Sequence, residues 1–249
     1  MKLRKFPKRI KYFLSHLFLS LIVALVIVGL TFFIWYPSPL DVAADVTHVF
    51  LMLLVIDIIL GPILGLLIYK EGKRTLKFDL IVIIIIQICA LYYGVYSLEK
   101  GRPVWVVFYA NSFELVRKNE IILENINQAQ AQFKEVSWFK PQFSAIKSTE
   151  SIEQRQNDIF MELFGGISLA QRPERYVSLS KAKSQIQERA LPLKELEKYN
   201  SREKVENILK NYPQVDSWLP LKANALDMVV LINKEKAEVI KIVDLRPWN

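Results

Sequence analysis

The sequence predicts a membrane protein with three transmembrane α-helices followed by a small α+β extracytoplasmic domain. Three observations carry that reading. Nearly all the long apolar runs lie before Arg102. Each of the three runs can cross a hydrocarbon core of about 30 Å at about 1.5 Å rise per residue. The remaining stretch of about 147 residues has the mixed composition of an ordinary soluble domain and is long enough for one compact unit.

Residues 1–12 form a basic cytoplasmic N-terminus, with Lys2, Arg4, Lys5, Lys8, Arg9 and Lys11 and no acid. The first span covers 13–36 and ends on Trp35 and Tyr36, whose amphipathic rings suit a membrane interface. Val42-Ala43-Ala44 faintly resembles a signal-peptidase site. The apolar run is far longer than a signal h-region, however, and Pro37 and Pro39 intervene, so an uncleaved anchor is expected. A short polar connector without Lys or Arg leads to the second span, 47–69. The basic loop 70–79 holds Lys70, Lys73, Arg74 and Lys77, with Gly72 in its turn. The third span is 80–98, with Tyr92, Tyr93 and Tyr96 near its end. The Lys/Arg bias puts the N-terminus and the 70–79 loop in the cytoplasm. Lys100 and Arg102 oppose this and are outnumbered. Everything after Lys100 is then outside, which in a bacterium is the periplasm.

Residues 103–249 form the periplasmic α+β domain. Val104 to Ala110 is a β-branched and aromatic run and reads as a strand. Asn111-Ser112 is a turn, and Phe113 to Arg117 alternates like a returning strand. Glu124 to Glu135 reads as a helix and Phe143 to Lys147 as a short strand. Ser151 to Phe164 is a helix capped by Ser151 and stopped at Gly165-Gly166. Lys181 to Ala190, Leu193 to Tyr199 and Ser201 to Tyr212 are short helical pieces, the last capped by Ser201 alone because Lys204 stands where a capping box needs Glu. Leu226 to Ile232 and Val239 to Val243 form a closing hairpin.

Charge and chemistry exclude more than they select. The net charge is +8, but residues 1–102 carry 12 Lys/Arg against 6 Asp/Glu and the rest carry 21 against 19. The excess flanks apolar runs, where topology accounts for it, so nucleic acid is not an expected partner. The only histidines, His16 and His48, and the only cysteine, Cys89, lie in or beside spans. The outer domain therefore cannot build a Ser-His-Asp or Cys-His centre or an ordinary zinc site. Paired-carboxylate hydrolysis is formally open, but no pair stands out by spacing. Gly165-Gly166-Ile167-Ser168 is neither a nucleophile elbow nor a phosphate loop. No enzymatic activity, cofactor or metal is expected.

Asp57 is the exception. A carboxyl near mid-membrane costs at least about 2.5 kcal/mol on insertion scales, so it should face a partner. A transport path is disfavoured, because only His48, Thr31 and Gln87 are polar nearby in the spans. Asp57, Gly61, Pro62 and Gly65 are expected to form a helix-docking face, with packing inside the chain as the competing reading. The segment Gly61-Pro-Ile-Leu-Gly65 has small-residue spacing for close helix approach, and Pro62 frees a carbonyl one turn earlier, near Asp57. The basic loop reads as a topology marker beside anionic lipid, compatible with contact to an assembly platform.

Several short stretches together resemble the TfpX/TfpZ family of type IV pilin accessory proteins. They are Trp35-Tyr-Pro-Ser-Pro39, Asp57 through Gly61-Pro62, Tyr69-Lys-Glu-Gly-Lys73, Leu76-Lys-Phe-Asp79, Arg102-Pro-Val-Trp-Val-Val-Phe108 and the terminal Arg246-Pro-Trp248. The resemblance is strong over about residues 10–118 and thin from there to the final hairpin. It implies a bacterial inner-membrane protein that helps a cognate major type IV pilin to be assembled or displayed, with no catalytic residues to carry over. Contact with the inner-membrane assembly platform and with lipid would fit. On that basis the strands around Val104, Trp105, Val107 and Phe108, and the closing hairpin, are expected to recognise the pilin head through an exposed edge. Two other classes stay open: a membrane-anchored envelope sensor, which would need a cytoplasmic output domain, and a pilin-modifying enzyme, which the missing His and Cys disfavour.

Overall fold

A computed structural model describes residues 7–147 and 151–248. The chain divides into two compact units. One comprises Met1–Ile34 and Val46–Lys100; the other comprises Trp35–Asp45 and Gly101–Asn249.

Among the described residues three helices are long and apolar enough to cross a membrane: Lys8–Trp35, Val46–Ile68 and Leu76–Gly101. They begin at or before the expected spans, the first and third by several residues. The backbone helix continues into flanking polar positions such as Lys8, Lys11 and Lys77, whose long side chains can reach an aqueous edge while their stems stay on apolar surface. Large apolar side chains such as Phe18, Leu25, Val26, Leu67 and Ile86 point outward. That is the reverse of a soluble bundle and what hydrocarbon surroundings require. The first helix packs mainly against the second half of the second.

Two stretches widen to π-helix, Leu30–Trp35 and Val55–Leu60. The second has a local cause. Pro62 has no N–H to donate and its ring crowds the carbonyl one turn back. Just ahead of it the Gly61 N–H donates to the Ile56 carbonyl, five residues earlier.

The second unit is a curled sheet of eight strands: β1 (Pro103–Tyr109), β2 (Ser112–Arg117), β3 (Gln142–Ile146), β4 (Tyr176–Val177), β5 (Leu191–Pro192), β6 (Ser217–Lys222), β7 (Met228–Asn233) and β8 (Glu238–Val243). Their order is β4-β3-β1-β2-β6-β7-β8, with β5 beside the start of β6. β1–β3 and β2–β6 are parallel; the other pairs are antiparallel. Ala110, at φ 54°, makes the tight turn between β1 and β2.

Both faces of the sheet are covered, which is why β1 is a continuous apolar run rather than an alternating one. One face packs Val106, Phe108, Phe113, Leu115, Leu219, Leu221, Val230 and Ile232 under Ala182 and Ile186. On the other, Trp105, Val107 and Val116 meet Phe133, Leu169 and Tyr176. Beside them Trp218, Val229 and Leu231 meet Leu196 and Val205.

The structure corrects or refines the sequence reading at several points. The connector is not a mere linker: Leu40 and Ala43 are buried in the first of these clusters, and the Ala43 carbonyl accepts from the N–H groups of Ala225 and Leu226 at 3.1 and 3.4 Å. The helix expected at Glu124 to Glu135 reduces to a 3₁₀ turn, Ile126–Gln128, and one α-turn, Ala131–Lys134; its Gln- and Asn-rich stretch has no apolar face to hold a longer one. The piece at Leu193 to Tyr199 is 3₁₀, Leu193–Lys198. Strands β4, β5 and β6 are additions.

Candidate functional site

The structure places the expected docking residues inside the three-helix unit. Gly61, Pro62 and Gly65 are buried, and Asp57 is 7% exposed. The two glycines face different neighbours. A Cβ on Gly61 would meet the Gln87 side chain of the third helix; one on Gly65 would lie 2.8 Å from Tyr12 and 3.5 Å from His16 of the first. They serve contacts within the chain, so a docking face along Gly61–Gly65 is not open.

A polar seam crosses the unit. Gln87 Nε2 donates to the Asp57 carbonyl at 3.3 Å. In the π register that carbonyl is the one a residue-62 N–H would have served, so the amide stands in for the donor Pro62 lacks. On the first helix His16 meets Tyr12 edge to face at 5.6 Å. Sequence reasoning left Tyr12 and His16 out of this group. Their i, i+4 spacing, which puts them on one helix face, was the available signal.

The Asp57 side chain lines a different space. A cleft of about 250 Å³ opens between the second and third helices, bounded by Leu53, Ile56, Asp57, Ala90, Gly94 and Ser97. Asp57 Oδ2 has no hydrogen-bond partner among the described residues. Leu53 lies on Gly94, where a Cβ would stand 2.0 Å from its Cδ1, so a small residue at 94 sets the floor of the cleft.

Lys70, Gly72, Lys73, Arg74 and Lys77 are all exposed. Gly72 has φ +81°, a left-handed turn position suited to glycine. Lys73 pairs with Asp79 at 2.6 Å. Lys8 meets Glu71 at 3.8 Å and Arg9 Nε donates to the Leu66 carbonyl at 2.6 Å. The cations of the first helix start and of the loop are therefore gathered at one end of this unit.

Val104, Trp105, Val107 and Phe108 lie in the interior of the sheet. β1 has β2 on one flank and β3 on the other, so it offers no edge, and the expectation of recognition through an exposed β1 edge is corrected. The end strands of the sheet are β4 and β8; β8 lies beside a groove lined by Pro37, Pro39, Leu40, Phe143, Val239 and Ile242.

Other motif residues act as clamps. Buried Arg102 donates to the carbonyls of Ser137 at 2.7 Å and Phe139 at 3.3 Å. Its guanidinium lies 5.9 Å from the Trp138 ring, and Trp138 packs edge to face on Trp35. At the other terminus Trp248 Nε1 donates to Asp227 Oδ2 at 2.8 Å, and Arg246 donates to the Asp227 carbonyl.

The helix Ile152–Gly165 was not expected as a surface of interest. Asp158 is held by Arg175 at 2.8 Å, and Glu162 accepts from Tyr109 at 3.1 Å. Burial, and then the Glu162 charge, push the Tyr109 hydroxyl up to about 12. Ile159 and Phe160 are exposed, with Leu163 74% and Phe164 76% exposed. Apolar side chains grouped this way mark an interaction surface more often than chance. Nearby, Ser168 Oγ donates to Glu114 Oε2 at 2.5 Å. Burial raises the Glu114 carboxyl above its ordinary value, against the opposing hydrogen bond. Among the described residues no three His, Cys, Asp or Glu side chains converge to hold a metal ion.

Comparison with known proteins supplies a family. Residues 4–44 match the fimbrial assembly protein FimB family. The chain is 31% identical over 228 residues, 88% of each chain, to the fimbrial assembly protein of serogroup E1 of Dichelobacter nodosus. It is 32% identical to that of serogroup I over 72% of this chain and 70% of the relative, and 37% identical to that of serogroups C1 and C2 over 46% and 88%. The chain therefore belongs to the fimbrial assembly protein family. No solved structure matches it.

Proposed function

We propose that this protein is a non-enzymatic accessory factor of type IV fimbrial biogenesis, of the TfpX/TfpZ kind, working in the bacterial inner membrane on a cognate major pilin. The observation that carries the reading is the likeness to a relative named a fimbrial assembly protein along 88% of both chains. Three apolar helices suit a membrane protein. The connector 35–45 and the stretch 101–249 fold into one unit, which supports a reading with three spans and both segments on one side of the bilayer. The cations at 70–77 and at the first helix start lie on the other, and the positive-inside rule makes that side cytoplasmic. The sheet unit is then periplasmic, where pilin heads are.

In this reading the apolar face of the helix Ile152–Gly165 and the free edge of β8 receive the pilin head, while the helices hold its membrane segment. The test is deletion of the gene, with counts of surface fimbriae and measurement of total pilin. Complementation with the full chain restores fimbriae. A chain carrying Phe160→Ser and Leu163→Ser, present at normal level, restores them poorly. Unchanged fimbriation in the deletion strain would overturn the role. Full restoration by the double variant would remove the apolar face from it.

A further inference from the structure

The cleft between the second and third helices holds a group that the fold leaves unsatisfied. Asp57 is the twelfth of 23 residues in the helix Val46–Ile68, so in a spanning helix it sits near mid-membrane. It is buried, its Oδ2 has no hydrogen-bond partner among the described residues, and it lines a cleft whose other walls, Tyr93 apart, are apolar or small. Gly94 is taken up inside the chain by Leu53; on either side of it Ala90 and Ser97, small residues on the same face of the third helix, keep that wall low enough for another helix to approach.

We propose that this cleft is the seat of a transmembrane helix from a partner protein, and that the helix presents a hydrogen-bond donor (a hydroxyl, amide or amine) to Asp57. The chemistry selects the occupant. At this depth neither water nor a lipid headgroup is at hand, and an acyl chain fills space but donates nothing. A carboxyl oxygen left alone in hydrocarbon is costly. An apolar helix with one donor on its cleft-facing side satisfies both the wall and the acid. Gly61 and Gly65, already engaged inside the chain, take no part. The proposal rests on the accessory-factor reading only in naming a pilin as the natural candidate for that helix.

The experiment uses the full chain in vesicles of phosphatidylethanolamine and phosphatidylglycerol. The probe is a fluorescent Leu/Ala peptide of about 20 residues, long enough to span, with one central Asn; its twin has Leu there. Energy transfer reports association. The Asn peptide should bind about three- to thirtyfold more tightly than the twin, the range expected for an interhelical hydrogen bond in lipid. Asp57→Leu should abolish the preference and Asp57→Asn should keep it. Ala90→Phe, which fills the cleft from its rim, should weaken both peptides. Equal binding of the two peptides, binding of neither, or a preference that survives Asp57→Leu would overturn the proposal. So would self-association of the labelled chain lost on Ala90→Phe, which would seat a second copy there instead. None of these outcomes depends on fimbriation, so the cleft and the biological role can fail separately.

Discussion

Gln87 fills the place where residue 61 would carry a side chain: a Cβ on Gly61 would lie 1.7 Å from Gln87 Nε2. The same amide serves the Asp57 carbonyl. The missing Cβ at 61, the missing N–H at 62 and the π-turn are thus one device. Gly→Ala inside a helix ordinarily gains up to about 1 kcal/mol. Here Gly61→Ala must push the amide away and strand the carbonyl, so a net loss of about 1 kcal/mol is expected. Unfolding in mixed detergent micelles of Gly61→Ala, Gln87→Ala and the double variant checks it. The double variant should be no less stable than Gln87→Ala alone; a fully stable Gly61→Ala would refute the interlock.

The connector gives a second test. Leu40 is buried among sheet residues although it lies between two apolar helices in sequence. Leu40→Ala should destabilise the sheet unit by about 2–5 kcal/mol, the range for a large-to-small change in a core. Val42, two residues on and 44% exposed, should tolerate Ala within about 0.5 kcal/mol. Limited proteolysis of the full chain distinguishes the two. If both variants behave alike, the connector is not part of the core.

What the sequence revealed and concealed follows physical lines. The three long helices were legible because composition over about twenty residues suffices for them. β1, β2, β3 and the β7–β8 hairpin were legible from β-branched and aromatic runs. β6 was hidden by Pro220, which argues against a central strand. The structure shows why it is tolerated: β5 flanks β6 at Ser217 and Trp218 and β2 at Leu221 and Lys222, leaving Pro220 without a strand on that side. The role of the connector was illegible because four residues, Leu40–Ala43, have no periodicity to read. The docking face was only half legible. Spacing placed Gly61 and Gly65 in close helix contacts, but not which helices they meet.

Arg102 makes a third case. Its fork spans the Ser137 and Phe139 carbonyls, and a lysine cannot reach both in one plane. Arg102→Lys should cost about 1–3 kcal/mol, the range for loss of charged hydrogen bonds at a buried site. It should also raise hydrogen exchange in residues 137–139. An unchanged melting temperature in detergent would argue that the clamp is dispensable.

Glu114 predicts a dependence on pH. Burial raises its carboxyl above the ordinary value, so the fold prefers the protonated form. The stability this gives is complete below the usual glutamate range and is lost as pH rises through the higher folded value. Glu114→Gln keeps an acceptor for Ser168 and cannot ionise. It should therefore match the parent at low pH and melt higher at neutral pH. Melting curves of both chains from pH 4 to pH 8 decide it. A variant that melts lower at neutral pH would mean that the charged form is the one the fold needs.

The C-terminal clamp bears on the connector through a single loop. Asp227 accepts from the Ala223 N–H at 2.8 Å and from Trp248 Nε1 at 2.8 Å, and between these anchors Ala225 and Leu226 hold the Ala43 carbonyl. Trp248→Phe removes one bond and should cost about 1 kcal/mol; Asp227→Ala removes both and should cost about 1–3 kcal/mol. Because both act through the same carboxylate, the double variant should be less destabilised than the sum of the two. Amide exchange at Ala225 and Leu226 should quicken more in Asp227→Ala than in Trp248→Phe. If exchange there is unmoved while stability falls, the terminus supports the sheet directly and the loop is no intermediary.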